Sequence, residues 1–87
     1  MNKYIVEFLG TFLLSVVVFS TSNYLAHGAA LAIAVMLGGA ISGGIFNPAI
    51  ATGMMVANRI TQTDYILYII VEILGALAGF MLVKKIW

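Results

Sequence analysis

Long apolar runs alternate with short polar breaks along this chain. Tyr4 to about Thr21 is rich in Leu, Val and Phe and, at about 1.5 Å per residue, crosses a hydrocarbon core of roughly 30 Å. Ser22-Asn23-Tyr24 makes a polar turn, and from about Leu25 to Ile41 the chain is apolar again, weighted toward Ala and Gly, which predicts a second, closely packed span. Ser42-Gly43-Gly44-Ile45-Phe46-Asn47-Pro48 then places a glycine pair and a proline where no charge holds the chain at a membrane surface, and such punctuation breaks a helix. From Pro48 to about Ala57 the residues suit a helix, but about ten of them reach only about 15 Å, half a bilayer. Arg59 to Asp64 reads as a wet loop, and Tyr65 to Val83 as a third full span closed by Lys84, Lys85 and Trp87.

The pattern predicts an all-α membrane protein with three transmembrane helices plus one re-entrant half-helix, forming a single domain over residues 1–87. Non-helical backbone is tolerated at membrane depth only where it is buried in protein or lines a watery cavity, because each unpaired amide in hydrocarbon costs several kcal/mol. The broken segment therefore points to a pore.

Composition agrees. Hydrophobic residues make up 63% of the chain and charged residues 8%, and no Asp, Glu, Lys or Arg stands between Glu7 and Arg59. A soluble domain of this size needs far more polar surface. The formal net charge is +1 and the basic residues form no patch, which sets nucleic acid aside as a partner. With no cysteine, one histidine and no convergent polar cluster, the chain offers neither a catalytic centre nor a metal or cofactor site, so an enzyme is not expected. The first apolar run could be mistaken for a cleaved leader, but Glu7 interrupts it, and the run is expected to remain as a helix.

Asn47-Pro48-Ala49 carries the candidate chemistry. Asn is a favoured N-cap, Pro suits the first helical position, and Gly43 and Gly44 let the chain turn sharply before them. The N-terminus of the half-helix then lies near the bilayer midplane with its positive dipole end toward the channel, where the Asn47 amide can donate to a passing oxygen and the dipole disfavours cations. Glu7 and Glu72 are carboxyls within apolar helices, and such groups face the bundle and find partners. Gly75 and Gly79 give a GxxxG strip for close helix contact without identifying the neighbour. Tyr65, Tyr68 and Trp87 are read as including interface anchors.

These residues carry a resemblance to the aquaporins, or major intrinsic proteins. The helix start Glu7-Phe8-Leu9-Gly10-Thr11-Phe12 and the loop Ser42-Gly43-Gly44-Ile45-Phe46-Asn47-Pro48-Ala49 are similar to those of the family's first half, and Val71-Glu72-Ile73-Leu74-Gly75 falls where an Ala-Gln-x-x-Gly element is usual. The stretch from Ala26-His27-Gly28 to Asn47-Pro48-Ala49 is most similar to plant tonoplast-type members. The resemblance covers essentially the whole chain and implies half of an inverted-repeat fold, with Gly43, Gly44, Asn47, Pro48 and Ala49 lining a pore. It implies that Glu7 holds the re-entrant loop through its backbone, a role expected here over proton relay, with Glu72 a second loop-supporting carboxyl. It also implies that His27 faces a constriction with Val35, Gly44 and Ile50, against the alternative of an interfacial histidine wetted by headgroups. Full members carry two such halves, the second with a filter Arg after its motif. Here there is one loop; Ile50 stands at the position of that Arg, Ala51 replaces a common Thr and Glu72 a common Gln.

One half-helix cannot cross the membrane, whereas two entering from opposite sides cover roughly 30 Å. The expected partner, besides lipid, is an inverted second copy giving an antiparallel homodimer, with fourfold clustering of pores a further expectation from the family. Lys3 and Arg59 are read at one face and Lys84 and Lys85 at the other, so no orientation bias remains. Passive passage of water or a similarly small neutral solute is the expected function. The alternatives are a small dual-topology proton-coupled transporter using a membrane Glu, and a non-conducting half that needs a separate second half.

Overall fold

Each helix opens on a residue whose side chain accepts a hydrogen bond from the backbone just beyond it. Asn2 takes the Tyr4 N–H at 2.7 Å, Asn23 the Ala26 N–H at 2.9 Å, Asn47 the Ala49 N–H at 2.8 Å and Thr61 the Asp64 N–H at 3.1 Å. Such caps contribute about 1 kcal/mol each and fix where a helix starts. In the computed structural model, which describes residues Met1–Trp87, they begin α1 (Lys3–Ser20), α2 (Tyr24–Ser42), α3 (Pro48–Val56) and α4 (Gln62–Ile86), and there is no β-strand.

Helices α1, α2 and α4 are long and apolar enough to cross a membrane. Helix α3 has nine residues, about 13 Å at the standard rise, and is the predicted half-helix. The protein is a multi-pass integral membrane protein. One boundary differs from the expected one: α4 starts at Gln62, inside the stretch read as a wet loop, and runs 25 residues to Ile86. The Thr61 cap makes the difference, because it places the polar Gln62-Thr63-Asp64 in a first helical turn, where the Asp64 carboxylate suits the helix dipole.

Helix α1 lies between α2 and α4, and α3 packs on α4. At one end Lys3 Nζ meets Asp64 Oδ2 at 2.7 Å, and the Tyr4 hydroxyl donates to Asp64 Oδ1 at 2.6 Å. At the other end the Phe19 and Phe80 rings meet edge to face at 5.4 Å, so α1 and α4 run parallel. Glycine sets how closely they approach. A β-carbon on Gly75 would stand 2.6 Å from the Phe8 carbonyl oxygen, and one on Gly79 2.8 Å from Ser15 Cβ. The neighbour of the GxxxG strip is thus α1 of the same chain. Helix α2 returns along the other side of α1 with Ala30, Ala34 and Gly38 buried, the last against Val6.

The polarity is inside out. The largest fully buried side chains are Tyr68, Glu7 and Glu72, whereas Leu25, Met36, Leu37, Leu77 and Met81 stand exposed. In water that surface would aggregate; in lipid it is solvated, and the interior can hold the polar groups that a loop at membrane depth requires. Tyr68 is accordingly not an interface anchor, because a hydroxyl needed by the buried loop pulls it inward.

Candidate functional site

The break in the helical pattern is built from Ser42 onward. Gly43 ends α2 in the left-handed conformation at φ 93°, its N–H donating to the Gly39 carbonyl at 2.8 Å, and Gly44 follows at φ 67°. Two successive positive-φ residues turn the chain back on itself, a geometry glycine adopts without steric cost. Val35 on α2 lies against Gly44, since a β-carbon there would come within 3.2 Å of Val35 Cγ2.

Glu7 receives this turn. Its Oε1 accepts the Phe46 N–H at 2.7 Å, and its Oε2 accepts the Ile45 N–H at 3.2 Å and the Ser42 hydroxyl at 2.6 Å. From the other side, the Tyr68 hydroxyl on α4 donates to the Ser42 carbonyl at 2.7 Å. Buried loop groups that hydrocarbon would leave bare are thus satisfied from α1 and α4. Phe46 adopts a left-handed φ of 51°, which costs a residue with a β-carbon about 1–3 kcal/mol. The carboxylate bond and the burial of its ring over Gly10 offset that cost.

Asn47 and Pro48 then start α3. Both cap bonds of Asn47 use its Oδ1, to Ala49 N at 2.8 Å and Ile50 N at 3.4 Å, so its side-chain NH2 stays free and exposed. Thr52 Oγ1 bonds the Pro48 carbonyl at 2.8 Å and lies 3.0 Å from the Tyr65 hydroxyl, which ties α3 to α4. Ala49 and Ile50 are exposed on α3.

The second carboxyl differs from the first. Glu72 is fully buried near Glu7 and the Asn47 backbone, yet neither of its oxygens has a hydrogen-bond partner in this chain, and the Thr11 hydroxyl is likewise buried and unpaired. Of the four constriction candidates, Val35 and Gly44 touch and Ile50 follows on α3. His27 stands apart, eight residues before Val35 or about 12 Å along the helix. Its Nε2 lies 2.6 Å from the Thr21 carbonyl, which fixes the half-buried ring at the α1–α2 turn.

Sequence reasoning misses Ser42 and Tyr68 as loop supports and Thr11 as a buried polar group. A signal for Thr11 and Tyr68 exists: Glu7, Thr11 and Ser15 recur every fourth residue on α1, and Tyr68 and Glu72 do so on α4, polar stripes on helices otherwise turned to lipid.

The model of the family described as "Major intrinsic protein" matches residues 21–87. The chain is 43% identical to "Glycerol uptake facilitator protein-like 6" of Lactiplantibacillus plantarum, covering 98% of this chain and 44% of that protein. It is 42% identical to "Aquaporin TIP2-1" of Arabidopsis thaliana over 69% of this chain and 24% of that protein. To "Aquaglyceroporin AqpS" of Rhizobium meliloti it is 38% identical over 67% of this chain and 25% of that protein. No solved structure matches. The chain thus spans less than half the length of these relatives. With its apolar exterior, its loop braced by a buried carboxylate and these matches taken together, the chain belongs to the major intrinsic protein family of aquaporins and glycerol facilitators.

Proposed function

We propose that the chain is a passive channel for water or a similarly small neutral solute, and that an antiparallel second copy completes its pore. The observation that carries this reading is the nine-residue α3, which starts from a loop braced inside the helix bundle by Glu7 and presents the free Asn47 amide at its N-terminus. A donor at the positive end of a helix dipole suits a neutral oxygen-bearing solute and repels cations. Gly43, Gly44, Asn47, Pro48 and Ala49 line the path, and His27, Val35, Gly44 and Ile50 form its constriction when two copies assemble. That ring has one polar side chain and no Arg, so water passes first, ammonia or urea next, and glycerol poorly.

Two inverted half-helices together cover about 27 Å, close to the hydrocarbon thickness. Lys3 lies beside the start of α4 and so shares a face with Arg59, while Lys84 and Lys85 lie at the opposite end of α4, an even division that permits both orientations. Pores that cluster in fours belong to the same reading.

The unpaired Glu72 favours one alternative, a proton-coupled transporter in which that carboxyl exchanges a proton. Against it, the bonds to Glu7 describe a structural brace. Stopped-flow light scattering on liposomes holding the purified chain alone separates the readings. Osmotic flux linear in the gradient supports the channel; flux that saturates and follows a proton gradient supports the transporter. No flux from inserted protein means that the chain requires a different second half.

A further inference from the structure

Two fully buried carboxyls, Glu7 and Glu72, stand side by side where the loop meets the bundle, and the chain brings no cation to them. Lys3 is engaged by Asp64 at the end of the bundle, and Lys84 lies about 18 Å along α4 from Glu72. Tyr68, the titratable neighbour one turn away on α4, is committed to the Ser42 carbonyl, and α2 and the loop offer Glu7 only the Ser42 hydroxyl and backbone amides.

Glu7 is the ionised member. A carboxylate has about four lone-pair sites, and the Phe46 N–H, the Ile45 N–H and the Ser42 hydroxyl already occupy the rest, leaving one free on Oε1. A second carboxylate beside it would add a like charge at membrane depth, and two such charges do not ionise together. Nor could the two bond each other, since both would only accept, and Glu72 accordingly stands unpaired as a carboxylate. The backbone N–H of Asn47 follows the two that Glu7 receives, lies beside Glu72 and bonds to no other group of the chain.

We infer that Glu72 is held as the neutral acid and is the positioning residue that completes the brace, its O–H donating to the Glu7 carboxylate and its carbonyl oxygen accepting the Asn47 N–H. One proton then satisfies both orphaned oxygens, fills the last site on Glu7 and fixes the backbone of the residue whose side-chain amide faces the solute. The part played in conduction rests on the channel reading above; the proton does not.

Infrared spectroscopy of the chain in liposomes at neutral pH tests the proton directly. Asp64 is paired with Lys3, so among the three acidic side chains only this pair can show the carbonyl stretch of a protonated acid. Wild type should show that band, Glu72→Gln should lack it, and Glu7→Gln should keep it. Glu72→Gln replaces O–H by N–H and keeps a carbonyl, so it should unfold in detergent and conduct as wild type does. Glu72→Leu strands the Asn47 N–H and should shift the unfolding equilibrium about fivefold or more toward the unfolded chain, with lower flux. An ionised, unpaired Glu72 requires the opposite sign, because Leu would remove a bare buried charge and stabilise the chain. The inference is overturned if wild type lacks the band, if Glu7→Gln abolishes it, or if Leu stabilises. It is also overturned if an assembled Glu72→Gln conducts nothing while wild type conducts, which would make the proton a transported one. A wild type that conducts nothing removes the channel reading alone, and the infrared and unfolding results still decide the proton.

Discussion

The ring of Phe46 occupies the space where a β-carbon on Gly10 would stand, so the re-entrant loop approaches α1 as closely as it does only because residue 10 has no side chain. Gly10→Ala must push the ring out, and Phe46 holds its left-handed backbone only while ring and amide are both fixed. Overpacking of this kind costs about 1–3 kcal/mol. We expect the variant to insert normally, to unfold at lower temperature in detergent, and to conduct less per inserted chain. An unchanged unfolding temperature would mean that the loop does not bear on α1 there.

Glu7 presents a cleaner test of the brace. Glu7→Ala leaves the Ile45 and Phe46 N–H groups and the Ser42 hydroxyl without their acceptor, at about 1–3 kcal/mol for each buried group. Glu7→Gln keeps an acceptor oxygen, so partial function and most of the stability should survive. A Gln variant that is fully assembled yet conducts nothing would instead make the charge itself necessary, as a transporter requires.

Much of this arrangement is legible in the residues, and the exceptions have physical causes. The glycine pair and Pro48 mark the break because few other structures tolerate them in an apolar run, and Glu7 stands out because a carboxyl in a membrane helix must find donors. The start of α4 is hidden because Gln62, Thr63 and Asp64 have a loop's composition, and only the Thr61 cap turns them into a helical turn. Gly75 and Gly79 identify a face but not the helix that meets it, since that depends on how α1 is oriented. Tyr68 belongs at the surface by its residue type, whereas the Ser42 carbonyl draws its hydroxyl inward.

Asn47→Asp replaces the free donor amide with an acceptor at the start of α3, while an oxygen remains to cap Ala49 and Ile50. The helix should form, and water flux per inserted chain should fall at least about tenfold, as expected when a desolvated solute loses a buried donor. Flux equal to wild type in the liposome assay would take this residue off the conducting path.

Orientation is tested independently of flux. Because the basic residues divide evenly between the two ends of the bundle, a single cysteine at position 2 should react with a membrane-impermeant maleimide from both sides of the membrane. Labelling from one side only would exclude the antiparallel pair and require a second half of different sequence.

The constriction is tested at His27. Its ring is held at the α1–α2 turn by the Thr21 carbonyl, about 12 Å along α2 from Val35, with Gly44 farther on beyond the end of that helix, so in one chain it cannot close a ring with them. If an inverted copy brings its own Val35, Gly44 and Ile50 to that end, His27 supplies the only polar side chain of the mouth. His27→Ala then widens the mouth and removes its hydrogen-bonding group at once, which should raise glycerol flux relative to water by about tenfold or more, the low end of the discrimination that small changes in a pocket's size produce. Losing the bond to Thr21 should cost only about 0.5–1.5 kcal/mol of stability, so the variant remains assembled. A glycerol-to-water permeability ratio identical to wild type in the same liposomes would take His27 out of the constriction and leave it as a residue that holds the turn.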